Sequence, residues 1–133
     1  MRPNTRRSDL QDAAAQPPEP DPSALAHRIV DVASDHKATD IVMLRLTELT
    51  TLADFFIICS GRSERQVAGV AGGIIDELRA DGVRPLGVEG RANARWVLVD
   101  YGSVVVHIFT PDERDYYGLE RLWHEATPVV RLV

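Results

Sequence analysis

One turn in the sequence could hold a phosphate group: Ser60-Gly61, between a predicted strand and a predicted helix. The free N–H groups at the start of a helix favour an anion, and nucleotidyltransferases hold phosphates at such a place. Their chemistry also needs two or three carboxylates converging on divalent metal ions, typically from alternate positions of one strand. No predicted strand carries an Asp-x-Asp or Asp-x-Glu pair. The sequence therefore predicts an ordinary strand-turn-helix here, with a minimal nucleotidyltransferase as an alternative.

The histidines and the cysteine also lack the spacing of a metal-binding or reactive site. The four histidines show no pattern such as His-x-x-x-His, and the single cysteine, Cys59, can form neither an intrachain disulfide nor a Cys-based zinc site. Because Cys59 ends an apolar strand, we expect it to be packed rather than reactive. His107 alternates with apolar residues, which predicts a structural histidine, with a partner contact as the second interpretation. The sequence predicts no catalytic residue, no metal site and no cofactor.

The charge of the chain argues against a protein that binds nucleic acid mainly through phosphates. Fifteen Lys and Arg against 20 Asp and Glu give a net charge of −5, whereas such domains are usually basic. We therefore expect little or no direct binding to nucleic acid. A direct RNA-binding module is the remaining alternative, and its candidate residues are Arg62, Arg65, Arg91 and Arg95.

The stretch from 112 to 125 combines acidic and aromatic side chains. It contains five acids and two bases, with two Tyr, two Leu and one Trp among them. Aromatic anchors surrounded by acidic groups suit a face that meets a basic protein. In the plainer interpretation, the apolar residues pack the last helix onto the sheet while the acids are solvated. At least two of the five apolar residues must pack in this way, so the two interpretations coexist.

Three predicted helices and five predicted strands position these residues. Capping and apolar spacing predict helices that begin after Ser23, after a Ser63 and Gln66 capping box, and after Thr110. The strands are predicted at 40–46, 55–59, 85–88, 96–100 and 104–109. The order α-β-β-α-β-β-β-α predicts an α/β fold, an α+β sandwich with a mixed sheet of about five strands.

Local composition adds five details to this framework. A three-residue turn containing glycine predicts that the last two strands form a β-hairpin. The continuous apolar run 55–59 predicts a central strand covered on both faces, and Pro85 predicts an edge strand. Glu113 is expected to close a capping box with Thr110. Gly118 is expected to interrupt the last helix.

The beginning of the chain differs in composition from the rest. Residues 1–22 hold five prolines and almost no bulky apolar side chain, which predicts a disordered tail before a domain of residues 23–130. No apolar run approaches the ~20 residues that a membrane helix needs. The first residues also lack the apolar core of a signal peptide, so we expect neither secretion nor membrane insertion.

Six blocks of the sequence, in order, resemble the ribosomal silencing factor family, also called the Iojap family. The blocks are 40–46, 53–61, 87–90, 96–102, 106–110 and 114–123. The resemblance runs from about residue 23 to residue 125 and leaves the tail uncovered. Gly118 departs from the family pattern, in which a more polar residue is expected.

The resemblance implies a translational repressor that is not an enzyme. Family members bind the large ribosomal subunit through the universal large-subunit ribosomal protein fourteen. There they sterically block association with the small subunit, which silences translation under nutrient limitation. The resemblance also implies a nucleotidyltransferase-like fold without catalytic carboxylates, a cytoplasmic location and a possible homodimer when free.

The resemblance also places a partner-binding face, residue by residue. Trp96 is expected to be an aromatic anchor, and Tyr117 is expected to contact the partner with its hydroxyl at the rim. Arg114 and Glu120 are expected to make polar or ionic contacts. His107 completes the predicted set.

Overall fold

The computed structural model describes residues 21–133, and this part of the chain forms four helices and six strands. The predicted tail therefore lies almost entirely outside the described residues, and its disorder stays a prediction. The helices are α1 (Pro22–Asp35), α2 (Glu64–Ala80), α3 (Pro111–Tyr117) and α4 (Leu119–Leu122). The strands are β1 (Thr39–Arg45), β2 (Phe55–Ser60), β3 (Gly87–Glu89), β4 (Trp96–Asp100), β5 (Val104–Phe109) and β6 (Thr127–Leu132).

The six strands form one mixed sheet in the order β3-β4-β5-β2-β1-β6. Only β2 and β5 pair in parallel; the other neighbours are antiparallel. The predicted α/β class with a mixed sheet is confirmed, as are the edge position of β3 and the hairpin of β4 and β5. The strand number of about five is wrong, because β6 adds a sixth strand. Its sequence contains Pro128, and only two of its residues are partly buried. A sheet tolerates such a strand at an edge, but this composition does not predict a strand.

One face of the sheet is covered by α1 and α2. Alternate residues of the strands point to this face, among them Ile57 and Cys59 of β2 and Val106 and Ile108 of β5, each fully buried. Burial raises the pKa of the Cys59 thiol to about 12, so the thiol stays protonated at neutral pH. The prediction that Cys59 is packed rather than reactive is confirmed.

The opposite face carries a second, smaller core. Val42, Leu44, Ile58 and Phe109 are buried there, and partly buried rings pack against them. The short helices α3 and α4 cover this face only in part, since neither contains a buried residue. Strand β2 thus contributes buried side chains to both faces, as the apolar run of its sequence predicts.

The helix starts agree only in part with the predicted caps. The N-cap of α1 is Asp21 rather than Ser23, and its carboxylate accepts a hydrogen bond from the Ala24 amide at 3.0 Å. Ser63 caps α2 as predicted, accepting from the Gln66 amide at 3.1 Å. The Gln66 side chain, however, accepts from the amide of the residue before Ser63, so the reciprocal half of the predicted box is absent.

The last helical segment also differs in detail. Thr110 occupies the N-cap position of α3 but its side chain makes no capping bond, so the predicted box with Glu113 is wrong. Gly118 adopts the left-handed conformation (φ 58°, ψ 43°) and separates α3 from α4, which confirms the predicted interruption.

Candidate partner-binding surface

Aromatic rings converge on the face of the sheet opposite α1 and α2. The ring centroids of Trp96 and Tyr117 lie 4.5 Å apart, and Trp96 stacks on Phe109 at 4.9 Å. Phe56 and Trp123 meet edge to face at 5.7 Å. We use the name aromatic surface for Phe56, Trp96, Tyr116, Tyr117 and Trp123, which lie over the buried Phe109 and His107.

His107 supports this surface from below. It is only 4% exposed, and its Nδ1 accepts a hydrogen bond from the Trp96 indole Nε1 at 3.2 Å. Burial lowers the pKa of His107 to about 4, so the ring is neutral at pH 7 with its proton on Nε2. That Nε2 atom is buried and has no hydrogen-bond partner in residues 21–133. His107 therefore fixes the orientation of Trp96 from inside the protein and is not itself an exposed contact.

The loop before β4 holds Trp96 from the other side. Gly90 has φ 85°, and the amide of the buried Ala94 donates to the Gly90 carbonyl at 3.1 Å. A Cβ atom at Gly90 would collide with the carbonyl oxygen of Trp96. The position therefore requires glycine for both backbone conformation and space.

Arg114 attaches α3 to α4 and to the sheet. Its guanidinium donates to both carboxylate oxygens of Glu120, at 2.9 and 3.1 Å. Its Nη1 also donates to the Asp40 carbonyl at 2.7 Å and to Ser60 Oγ at 2.8 Å. The hydrogen bond from Arg114 lowers the pKa of Glu120. The Arg114 side chain is only 12% exposed, so most of its hydrogen-bonding capacity is used inside the protein.

The left-handed turn at Gly118 makes this arrangement possible. It reverses the chain between α3 and α4, so that Arg114 on one side faces Glu120 on the other. A Cβ atom at Gly118 would collide with the Arg121 guanidinium. That guanidinium is the end of a flexible side chain and can move, so the turn favours glycine through its left-handed backbone conformation.

The outer side of the aromatic surface is exposed and acidic at its margin. Tyr116 is 79% exposed, Tyr117 46%, and Leu122 beside them 70%. The acids of the same segment are Asp112, Glu113, Asp115, Glu120 and Glu125. Apolar anchors within an acidic rim can bind a basic protein without any bond-making chemistry. Within residues 21–133, no group of three His, Cys, Asp or Glu residues could hold a metal ion.

The five site residues predicted from sequence lie in two adjoining clusters. Trp96, His107 and Tyr117 belong to the ring cluster, and Arg114 and Glu120 form the ion pair beside it. The sequence analysis missed three contributors to this surface: Phe56, Phe109 and Ser60. Alternation along β2 and β5 would have found them, since residues 56, 58 and 60 share a face with residues 105, 107 and 109.

The family model described as ribosomal silencing factor during starvation matches residues 19–132. This chain belongs to the RsfS family. A role in ribosome silencing is the function that this membership supports, and the names of the RsfS relatives denote silencing factors rather than enzymes.

Individual RsfS relatives cover most of the chain. The ribosomal silencing factor RsfS of Halalkalibacterium halodurans is 45% identical over 103 residues, which are 77% of this chain and 87% of the relative. The RsfS protein of Bacillus subtilis is 47% identical over 92 residues, 69% of this chain and 78% of the relative. A crystal structure of a Chromobacterium violaceum protein superposes with a TM-score of 0.77 at 37% identity, covering 79% of this chain and 88% of that one.

No helix within residues 21–133 has the length and apolar character needed to cross a membrane.

Proposed function

We propose that this chain is a translational repressor that binds the large ribosomal subunit through the universal large-subunit ribosomal protein fourteen. By occupying that position it prevents the small subunit from joining, and its site of action is the cytoplasm. Membership of the RsfS family supports the ribosomal setting. The observation that carries the proposal is the exposed aromatic surface, whose rings are positioned by internal bonds yet left open to solvent.

The chemistry of this surface suits a basic protein partner. Ribosomal proteins are basic because they bind RNA, and acidic residues surround the rings of the aromatic surface. Exposed Tyr116 and Tyr117 offer large, stiff contact areas whose ordering on binding costs little side-chain entropy. Repression by occupancy requires no catalytic group, so the proposed function needs no enzyme activity.

The five predicted residues divide into two roles under this proposal. Trp96 and Tyr117 contact the partner. Glu120 also contacts it, through the exposed part of its side chain, which is about one third. His107 and Arg114 act as positioning residues: His107 orients the Trp96 indole, and Arg114 holds α3 and α4 against the sheet.

Sucrose-gradient sedimentation of ribosomal subunits tests the proposal. Purified protein is added to separated subunits, which are then returned to conditions that form 70S ribosomes. We expect less 70S and co-sedimentation of the protein with the large subunit. Normal 70S formation, with the protein at the top of the gradient, would overturn the proposal.

A double variant and a matched control locate the contact face. Reversing the charge of Glu120 is a poor test, because Arg114 would lose its carboxylate partner. Tyr117→Ala combined with Asp115→Lys changes two exposed side chains that carry no such bond. We expect this variant to lose co-sedimentation with the large subunit, while Leu86→Ala, at an exposed leucine beside the far end of β4, keeps it. Unchanged binding of the double variant would reject the proposed face.

The same surface accounts for the possible homodimer. Tyr116, Tyr117 and Leu122 are exposed in the single chain, and pairing two copies would cover them when no partner is bound. We expect sedimentation velocity to show a dimer that the Tyr117→Ala and Asp115→Lys variant weakens. A wild-type monomer at micromolar concentration would contradict this expectation.

A further inference from the structure

A group of exposed cations lies at the beginning of α2, in the loops beside it and against the middle of the helix. We use the name arginine surface for this group. Its members are Lys37, Arg62, Arg65, Arg91 and Arg95. Glu64 lies among them, 3.6 Å from the Arg95 Nε atom, and Asp112 and Glu113 border the group. Within residues 21–133, Arg62, Arg65 and Arg91 have no acidic side chain within salt-bridge distance. Positive charge is thus concentrated here although the whole chain carries −5.

Gln66 connects two members of this surface. Its Oε1 accepts from the backbone amide and the Nε of Arg62, at 2.8 and 3.3 Å. Its Nε2 donates to the Lys37 carbonyl at 3.2 Å. One side chain therefore ties the turn after β2 to the turn after α1, and the two cations are brought to the same end of the molecule.

Arg91 comes from the loop between β3 and β4 and lies beside the middle of α2. Its guanidinium lies 4.0 Å from the point where a Cβ of Gly72 would stand, so it lies against α2. Arg65, Gly69 and Gly72 share one face of that helix because they are four and three residues apart. The absence of a side chain at Gly72 leaves room on this face for Arg91, roughly two helical turns along α2 from Arg65.

We propose that the arginine surface binds backbone phosphates of ribosomal RNA, as a second contact beside the docking site on ribosomal protein fourteen. This inference rests on the proposed function. Four of the five cations are arginines, whose planar guanidinium matches a phosphate with two parallel hydrogen bonds. An acidic protein is the weaker assignment, because protein interfaces need an apolar centre and no large exposed apolar residue belongs to this surface.

The arginine surface adjoins the aromatic surface. Arg95 immediately precedes Trp96, and its carbonyl accepts from the Thr110 amide at 2.9 Å, just before α3. Arg62 and Arg95 line one cleft together with Thr110, and the acids Glu64, Asp112 and Glu113 line the same cleft. If the rings dock on a ribosomal protein, the arginines face the surface of the subunit next to it, and the proposal assigns RNA phosphates to that surface.

This proximity reconciles a phosphate contact with an acidic chain. Four or five cations give only weak, salt-sensitive affinity for free RNA, and the net charge of −5 opposes it. Once the protein is docked, the second contact is intramolecular and its effective concentration rises greatly. The arginine surface therefore adds affinity for the assembled subunit rather than for naked RNA.

The salt dependence of binding tests this inference with two triple variants of equal charge. The test variant is Arg62→Gln, Arg65→Gln, Arg91→Gln, and the control is Arg45→Gln, Arg79→Gln, Arg84→Gln at exposed positions elsewhere. Binding of each full chain is measured to the whole large subunit and to isolated ribosomal protein fourteen, from 50 to 200 mM salt. For the test variant on the subunit, we expect the slope of log affinity against log salt to fall in magnitude by about 2. The wild type then loses about 15-fold more affinity across this range than the test variant does.

The two binding partners separate the possible outcomes. On isolated ribosomal protein fourteen, we expect the test variant to equal the wild type within about twofold, because the phosphates are absent. An unchanged salt slope on the subunit, or an equal change in the control variant, would overturn the phosphate contact. If the test variant loses as much affinity for isolated ribosomal protein fourteen as for the subunit, the phosphate contact is also overturned, because the arginines then contact that protein. A wild-type chain that binds neither partner would instead refute the proposed function.

Discussion

The two faces of the sheet are built from the same strands but have different chemistry. The face under α1 and α2 is aliphatic and closed, with Ile57, Val106 and Ile108 fully buried. The other face is aromatic and half open. Both buried residues with polar or charged side chains in residues 21–133, Ser60 and His107, lie on it.

Under the proposed function, one small sheet serves stability and recognition together. Aliphatic packing on the helix-covered face contributes most of the hydrophobic free energy, because it removes more apolar area from water. On the aromatic surface, hydrogen bonds hold the Trp96 ring, which stays partly exposed, and pair the nearly buried Arg114 with the partly exposed Glu120. We therefore expect substitutions on the first face to act mainly on folding and those on the second mainly on binding.

The largest expected effect belongs to the helix-covered face. Ile57→Ala removes a fully buried side chain from β2, and we expect it to lower the free energy of unfolding by about 2–5 kcal/mol. Urea denaturation followed by circular dichroism measures this loss. The exposed Leu86→Ala control should stay within about 0.5 kcal/mol of the wild type. A loss below about 1 kcal/mol for Ile57→Ala would remove the contrast between the faces.

Arg114→Ala tests whether internal bonds position the aromatic surface. It deletes the bidentate pair with Glu120 and the bonds to Ser60 and Asp40, so we expect a loss of about 2–3 kcal/mol in the free energy of unfolding. Arg121→Ala is the matched control, since Arg121 is exposed and makes one bond to a carbonyl. Affinity for the large subunit should fall with Arg114→Ala although the residue is nearly buried. Wild-type affinity would mean that α3 and α4 need no such attachment.

His107 should make the stability of the aromatic face depend on pH. Its pKa in the folded protein is about 4, below the ordinary 6.5, so the unfolded chain takes up the proton first as pH falls. The stabilisation is complete above pH 6.5 and decreases from there towards pH 4. Between pH 7 and pH 5 we expect a loss of about 2 kcal/mol.

Substitution isolates this pH dependence from that of other groups. Denaturant unfolding of His107→Phe should lack the 2 kcal/mol decrease between pH 7 and pH 5 that the wild type shows. His124→Phe, at an exposed histidine, should behave like the wild type. An identical pH profile for His107→Phe and wild type would show that the histidine is not held neutral by burial.

Tyr117→Ala has the smallest expected effect on folding and gives the sharpest test of the difference between the two faces. Tyr117 is half exposed, so Tyr117→Ala should cost less than about 1 kcal/mol in the free energy of unfolding. Its affinity for the large subunit should nevertheless fall tenfold or more, because an interfacial tyrosine is a typical hot spot. Equilibrium binding and urea unfolding of the same sample measure both quantities. A stability loss that explains the binding loss would assign Tyr117 to the core.

Elements with a strong local pattern were predictable from the sequence. Three of them were correctly predicted from their own local sequence pattern. They are α2 with its apolar period, β2 with its unbroken apolar run, and the turn between β4 and β5. Strand β6 has no such local pattern. It forms by pairing with β1, which is far from it in the sequence. Tertiary pairing of this kind cannot be inferred from six residues.

The sequence provides a set of candidate site residues but not their arrangement. The family resemblance gives positions, and position alone does not distinguish a contact from a support. Arg114 and Glu120 were expected to bind a partner. In the structure, the Arg114 guanidinium donates hydrogen bonds to both carboxylate oxygens of Glu120. The bond from Trp96 to His107 depends on the register of β4 against β5, which no local motif specifies.

The parallel pairing of β2 with β5 has a consequence for folding kinetics. Adjacent hairpins close over a few residues, but β2 and β5 meet only after α2, β3 and β4 have been passed. Closing so long a loop is entropically costly, and non-local contacts of this kind slow folding. Phe56 comes from β2 and Phe109 from β5, so the aromatic surface exists only after this slow step. A partly folded chain can form its hairpin, but the proposed binding surface is complete only in the finished molecule.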